Sequence, residues 1–168
     1  SSEKIKEKEN LGFNDKKIVL WLSQDRKKKG LHILIEAWNN SKLMNNNDFV
    51  LLVIGTSKIG VEGNINYLGK IPNKLLPKYY QCSDYYFFTT LFHEGFGLSI
   101  VEAIKSGTTC FASNIAPMKE VVKEGKLSNL VDNPNKVSSW LDILNKIKSK
   151  KIQKIDIDKL ELDELYSL

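Results

Sequence analysis

Two carboxylates and two glycines share one short stretch, HEGFGLSIVEA, which runs from His93 to Ala103. Glu94 and Glu102 frame it, and Gly95 and Gly97 lie between them. A carboxylate accepts hydrogen bonds, and it can accept from two neighbouring hydroxyl groups at once. Glycine allows the backbone to come close to a ligand. The residue types therefore favour a site for a ligand that carries several hydroxyl groups.

A strand and a helix must position this stretch. Residues 84–90 form a strand-like run, and the apolar residues from Leu98 to Ile104 follow a helical period. A strand, a glycine-bearing turn and a helix point backbone N–H groups and the positive end of the helix at a ligand above the strand. The N–H groups of Phe96, Gly97 and Leu98 fit a phosphate. A phosphate site between two carboxylates that bind hydroxyl groups fits a sugar nucleotide. The alternative is a tightly packed turn whose glutamates are only solvated.

Length and composition place the chain among ordinary globular proteins. It has 168 residues, of which 42% are hydrophobic and 27% charged, enough for one domain with a core. We find neither a membrane-spanning run nor a signal-peptide pattern. Cys82 and Cys110 lack metal-ligand spacing and fall on a predicted helix and a predicted strand, so we expect reduced core thiols. The net charge of +5 is compatible with an anionic small ligand or a membrane surface; the aromatic residues are not interleaved as nucleic-acid binding would need.

Predicted strands alternate with predicted helices along the chain. Such alternation indicates right-handed βαβ units, and hence an α/β fold with a doubly wound parallel sheet in a single Rossmann-like domain. We expect this domain over residues 14–150, after a charged leader or frayed helix at 1–13 and before a tail at 151–168. The predicted strands are 17–23, 49–54, 64–68, 84–88, 108–112 and 127–131. The predicted helices are 31–44, 72–81, 98–104, 117–122 and 134–150.

A basic loop, QDRKKKG, occupies residues 24–30 directly after the first predicted strand. In doubly wound sheets, ligands bind outside the carboxyl ends of the strands. Because the loops at 24–30 and 91–97 both follow strands, we expect them at the same edge of the sheet. A run of charges is usually a solvated surface, which is our interpretation of Lys27 and Lys28.

The stretch at 93–103 resembles the E-x7-E motif of the group 1 family of retaining glycosyltransferases, which have the GT-B fold of two Rossmann-like domains. The resemblance covers roughly residues 14–145. Its further segments are residues 66–71, 75–80, 83–84 and 107, and the run from 112 to 122. These segments match the C-terminal, donor-binding domain of such enzymes. The resemblance therefore implies one half of a GT-B fold, with an acceptor-binding N-terminal domain as its missing partner.

The family pattern implies a role for each matched residue. Glu102 would bind the ribose hydroxyls, and Glu94 would be the catalytic residue that faces the donor sugar. The amides of Phe96, Gly97 and Leu98 would hold the phosphate and the sugar. The nucleobase would lie near Ile71 and Pro72. No metal or other cofactor is expected, because GT-B enzymes resemble one another in needing none.

Lys29 resembles the lysine of the family's Lys-Gly pair, which reaches the diphosphate of the nucleotide. A fixed cation stabilises a diphosphate that gains charge as it leaves. The family's usual arginine lies five positions earlier, where this chain has Gln24. We expect Arg26 to supply the second cation from a shifted place.

The resemblance implies transfer of a sugar from a nucleoside diphosphate sugar to a glycan or lipid-linked acceptor. The expected location is the cytoplasm, with the inner face of the membrane and a peripheral membrane contact as one alternative, and no nucleic acid is expected as a partner. Two other functions remain open: a non-catalytic α/β nucleotide-binding or regulatory module, which Gln24 favours, and a GT-B-type enzyme such as an epimerase of sugar nucleotides.

Overall fold

The described residues form a mostly parallel, seven-stranded sheet with helices on both faces. The computed structural model describes residues 2–92, 98–115, 118, 128–150 and 152. The strands are β1 (Lys17–Leu22), β2 (Phe49–Ile54), β3 (Ile59–Glu62), β4 (Ile65–Gly69), β5 (Tyr85–Phe88), β6 (Thr109–Ser113) and β7 (Asn129–Val131). The helices are α1 (Ser2–Leu11), α2 (Leu31–Asn40), α3 (Leu76–Cys82), α4 (Leu98–Lys105) and α5 (Val137–Lys148). This confirms the predicted doubly wound α/β sheet.

The strand order is β3-β4-β2-β1-β5-β6-β7, and of the described strands only β3 runs antiparallel to its neighbour. Successive side chains of a strand point to opposite faces, so the buried run of β1 feeds two cores. Ile18 and Leu20 pack with residues of α3 and α4, while Val19 and Trp21 pack with residues of α2 and α5. The continuous apolar runs of β1 and β2 are therefore those of strands buried on both faces.

Two predicted helix boundaries were wrong for local reasons. The helix predicted over 31–44 ends at Asn40, because Ser41 turns the chain and its hydroxyl donates to the carbonyl of Trp38. Leu43 lies beyond the helix, and its apolar side chain is buried in that turn. The helix predicted over 72–81 begins as a 3-10 turn, Asn73–Leu75, before the regular α3 with Pro77 near its start.

The sequence reading missed β3 altogether. Its residues are exposed, so it lacks the apolar pattern that reveals a buried strand. The neighbouring strand, predicted over 64–68, is Ile65–Gly69, and Asn64 serves the turn before it. The Asn64 amide donates to the carbonyls of Leu43 and Asn46 at 2.7 and 3.1 Å. The helix predicted at 117–122 lies almost wholly outside the described residues.

Residues 2–11, which we expected to be a leader or a frayed helix, form α1, which is attached to the sheet. Lys8 donates to Asp84 Oδ2 at 2.8 Å and to the carbonyl of Lys16 at 2.8 Å. The same carboxylate oxygen accepts from the backbone N–H of Ile18 at 2.8 Å. Asp84 therefore joins α1 to the start of β1.

We expect Asp84→Ala to lower the free energy of unfolding by about 1–3 kcal/mol, because it removes the carboxylate that pairs with the Lys8 ammonium and leaves the Ile18 N–H without its acceptor. Urea unfolding monitored by circular dichroism measures this loss. The control is Asp48→Ala, at an exposed position. An equal, small loss for both variants would show that the Asp84 contacts contribute nothing to stability.

Candidate functional site

The chain reverses its direction of strand addition between β1 and β5. From β1 it adds β2 and β4 on one side, and it then returns to place β5 on the other side of β1. In open α/β sheets, the crevice outside the carboxyl ends of the strands at such a point is where ligands bind. The loops after β1 and β5 flank this crevice. The prediction that the two loops share one sheet edge is confirmed for the described part of the second loop, which ends at Phe92.

Hydrogen bonds tie these two loops together. The N–H of Leu91 donates to the carbonyl of Lys28 at 2.7 Å. The Thr89 hydroxyl donates to the carbonyl of Lys29 at 2.6 Å and accepts from Trp21 Nε1 at 2.9 Å. Thr89 is buried, so the basic loop is fixed to the core rather than free in solvent.

Gly30 permits this close approach. Its φ is +76°, in the left-handed region, and a Cβ placed there would lie 2.1 Å from the carbonyl oxygen of Thr89. The preceding residues, Lys27–Lys29, form a 3-10 turn, and α2 starts at Leu31. Gly30 therefore sets where Lys29 stands against β5.

The lysines of the basic loop differ in their surroundings. Lys27 is exposed, whereas Lys29 is half-buried. Burial lowers the pKa of the Lys29 ammonium from its ordinary value, and the neighbouring charges of Lys28 and Arg26 lower it further. An anion bound beside Lys29 would offset all three effects. Among the described residues of this loop, Lys29 has the environment that best fits an anion-binding cation.

The start of α4 is fixed against β1 and β5 by Tyr86. Its hydroxyl lies 3.1 Å from the carbonyl of Leu22 and 2.9 Å from Ser99 Oγ. A carbonyl can only accept, so Tyr86 donates to Leu22 and accepts from the hydroxyl of Ser99. Burial raises the pKa of Tyr86 well above its ordinary value, which keeps this proton in place. The positive end of α4 therefore sits beside the end of β1.

Glu102 lies on α4 between buried neighbours and is itself exposed. Its carboxylate is close enough to Tyr80 on α3 to add to the effect of burial in raising the pKa of Tyr80. Glu102 is therefore accessible to a ligand from the side of the sheet that carries α3 and α4.

Glu94, Phe96 and Gly97 lie outside the described residues, and of Leu98 only its place as the first residue of α4 is described. The residues predicted for the base, Ile71 and Pro72, follow β4 at the same carboxyl edge. Ile71 is half-buried against the core, and Pro72 is exposed.

The backbone of Gly55 brings three strand ends together. Its N–H donates to the carbonyl of Gly69 at 2.9 Å, and its φ is +112°. A Cβ at this position would lie 1.7 Å from the carbonyl oxygen of Ser23. The short Gly55-Thr56-Ser57 turn therefore packs directly on the loop that follows β1.

Arg26 and Lys27 line a separate hollow of about 810 Å³, which is bordered by α2 and by Thr56, Lys58 and Tyr67. The hollow lies on the α2 face, since Tyr67 packs in the core of that face. Arg26 therefore borders this hollow, whereas Lys29, in the same loop, is not among the residues that line it.

Sequence reasoning missed four residues that support the site: Trp21, Tyr86, Thr89 and Ser99. Each is an ordinary core or helix residue in its local pattern, and its role depends on partners far away in the chain. Within the described ranges, no cluster of three or more His, Cys, Asp or Glu side chains could hold a metal ion. None of the helices described is long and apolar enough to cross a bilayer.

Known proteins are similar to this chain in both sequence and fold. The family model described as "Glycosyl transferases group 1" matches residues 2–159. An uncharacterised 41.2 kDa protein in the cps region of Klebsiella pneumoniae is 32% identical over 149 residues, which is 83% of this chain and 40% of that protein. This chain therefore spans less than half the length of that relative.

Two solved structures illustrate the likeness of fold. Anabaena Alr3699/HepE, in complex with UDP and glucose, superposes with a TM-score of 0.77 at 22% identity, covering 97% of this chain and 48% of that one. The C-terminal domain of LpcC, a glycosyl transferase group 1 family protein from Francisella tularensis, superposes with a TM-score of 0.78 at 22% identity, covering 99% of this chain and 93% of that one. The chain has the fold of the C-terminal half of a GT-B enzyme, and it belongs to the group 1 glycosyltransferase family.

Proposed function

We propose that this chain is the donor-binding domain of a retaining glycosyltransferase. The whole enzyme would take a hexose from a nucleoside diphosphate sugar and pass it to a glycan or lipid-linked acceptor held by an N-terminal domain. The observation that carries the proposal is the crevice outside the ends of β1 and β5, because the loop of the half-buried Lys29 follows β1 and α4 starts beside the end of β1. The UDP and glucose bound by HepE and the cps-region location of the Klebsiella relative support the ligand class and a role in polysaccharide synthesis.

The chemistry that this site would supply is charge stabilisation. As the glycosidic bond breaks, the nucleoside diphosphate leaves with an added negative charge. The Lys29 ammonium and the N–H groups at the start of α4 would stabilise that charge without reorganising. Because a cation and a helix end do this work, we propose that binding needs no divalent metal.

Hydroxyl recognition would fall to the two glutamates. Glu102 follows the proposed phosphate-binding amides of Phe96, Gly97 and Leu98 along the chain, and Glu94 precedes them. The phosphates would therefore lie between the two glutamates, with the ribose bound by Glu102 and the donor sugar by Glu94. The base would lie at Ile71 and Pro72, and Arg26 would add charge from the side.

A thermal-shift panel of nucleoside diphosphates and their sugars, run in EDTA, tests this function. We expect the nucleotides of one base to raise the melting temperature of the chain, because a ligand that binds only the folded chain stabilises it. If no nucleotide, whatever its base, changes the melting temperature at millimolar concentration, donor binding is contradicted. A shift that requires magnesium would contradict metal-free binding.

The two glutamates give separable predictions. We expect Glu102→Gln to weaken the binding of a nucleoside diphosphate and of its sugar nucleotide alike. Glu94→Gln should weaken the binding of the sugar nucleotide only. Each loss should be about 1–2 kcal/mol, since the amide keeps the shape but is a poorer acceptor. Calorimetry of two variants against two ligands in one buffer measures all four values. If Glu94→Gln weakens the bare diphosphate equally, the proposed roles are wrong.

Gln24 favours one second candidate, a binding or regulatory module without catalysis. Gln24 stands in place of the family's usual arginine and is exposed. A module of that kind would bind the bare diphosphate as tightly as the sugar nucleotide. In the transferase, the sugar nucleotide should bind more tightly than the bare diphosphate, because Glu94 would add contacts to the donor sugar.

A further inference from the structure

The strand β3 leaves one edge of the sheet open. Among the described residues, it pairs only with β4, and its other side faces solvent. Two large apolar side chains stand on this strand: Ile59 is 79% exposed and Val61 is 68% exposed. An edge strand with exposed apolar residues is a template for pairing with another strand.

The backbone of β3 offers hydrogen-bonding groups at alternate residues. Glu62 pairs with Ile65 across the two-residue turn at Gly63 and Asn64. Residues that flank such a turn exchange both of their hydrogen bonds, and the pattern alternates along an antiparallel pair. Glu62 and Gly60 therefore bond inward to β4. The N–H and C=O groups of Ile59 and Val61 point outward to the open edge.

We propose that β3 pairs antiparallel with β3 of a second copy of this chain, about a twofold axis at Gly60. In that register Ile59 of each copy lies opposite Val61 of the other, so the outward-pointing backbone groups meet each other. Lys58 of each copy lies opposite Glu62 of the other, and opposite charges at facing positions stabilise a strand pair. The interface is isologous, as a twofold dimer requires.

The side chains on β3 and at Lys58, which directly precedes it, fit this register and not its neighbours. Lys58 and Glu62 lie on one face, where their side chains meet at 2.6 Å past Gly60, which has no side chain between them. The Lys58 ammonium also lies 4.4 Å from the centre of the Tyr67 ring. Moving the register by two residues in either direction would leave both charges without an opposite partner. The charge pattern is thus complementary to itself, which selects a second copy as the occupant.

Charge exchange between copies tests the pairing by analytical ultracentrifugation. Because the interface is small, we expect a weak dimer, so the 168-residue chain is measured from about 10 μM to about 1 mM. We expect K58E and E62K each to weaken self-association at least tenfold, because each places like charges opposite one another. An equimolar mixture of the two should associate as well as the wild type, since Glu faces Lys at every position of the mixed dimer.

The mixture separates this proposal from an effect within one chain, because both variants lose the internal Lys58–Glu62 pair and mixing does not restore it. The matched control is K42E, at another exposed lysine. A wild-type chain that stays monomeric at every concentration overturns the proposal. So does a mixture that associates no better than its separate components.

Cysteine cross-linking tests the register. Burial raises the pKa of Cys82 to about 11 and raises that of Cys110 well above its ordinary value, so the native thiols are inert. Facing residues of a hydrogen-bonded strand pair lie about 5.5 Å apart at Cα, within the reach of a disulfide. An oxidised mixture of I59C and V61C chains should form the mixed disulfide several-fold faster than either variant forms its own. Equal rates for all three disulfides overturn the register.

Discussion

Gly30→Ala should both destabilise the fold and abolish diphosphate binding at the crevice. The left-handed conformation costs any residue with a Cβ about 1–2 kcal/mol. The added methyl group would also stand 2.1 Å from the backbone oxygen of Thr89. Backbone cannot move aside as a flexible side chain can, so relief of this overlap should cost a further ~1–3 kcal/mol. Urea unfolding measures the total, and calorimetry measures the loss of nucleotide binding.

Gly107→Ala is the matched control for Gly30→Ala. Gly107 has a φ of +79°, close to the +76° of Gly30, but a Cβ there would meet nothing within 4 Å. It should therefore cost only the conformational part, about 1–2 kcal/mol, and leave nucleotide binding unchanged. Equal losses of stability for the two variants would show that the contact between Gly30 and Thr89 does not constrain the basic loop.

Lys29→Ala should weaken diphosphate binding by about 1.5–3 kcal/mol, or roughly ten- to hundredfold, because it removes a charge-assisted contact. Lys27→Ala should change the affinity little, since Lys27 is exposed and Lys29 is half-buried beside the crevice. Calorimetry in one buffer compares the two variants. Equal losses would show that the loop acts through its total charge and not through one placed lysine.

The pH dependence of binding isolates the Lys29 ammonium. Its pKa in the free protein is lowered, and a bound diphosphate favours the protonated form, so the pKa is higher in the complex. The contribution of Lys29 is therefore complete below its free-state pKa and falls as the pH rises past it. Lys29→Arg should flatten this decline, because arginine stays charged. An equally steep decline for Lys29→Arg would assign the pH effect to another group.

The periodicity of the sequence predicted the buried parallel strands, because their apolar runs are continuous. Strand β3 could not be found in this way, since its Ile-Gly-Val-Glu run is exposed and is ordered by pairing with β4. The shared edge of the two loops followed from topology, once both loops were placed after parallel strands.

Predicting the support of the site needed long-range information. Nothing near Thr89 shows that its hydroxyl takes the carbonyl of Lys29, and nothing near Tyr86 shows that it bridges Leu22 and Ser99. Lys29 was identified by resemblance, and the structure adds the physical difference from Lys27. The ribose role of Glu102 and the sugar role of Glu94 stay predictions.

Calorimetric titration with the nucleoside diphosphate that the thermal-shift panel selects, in EDTA, tests the central claim most directly. We predict that one diphosphate binds per wild-type chain without metal, and that Lys29→Ala lowers the affinity at least tenfold while Lys27→Ala does not. Absence of binding heat at millimolar nucleotide, or binding that survives Lys29→Ala unchanged, would contradict a donor site in the crevice between β1 and β5.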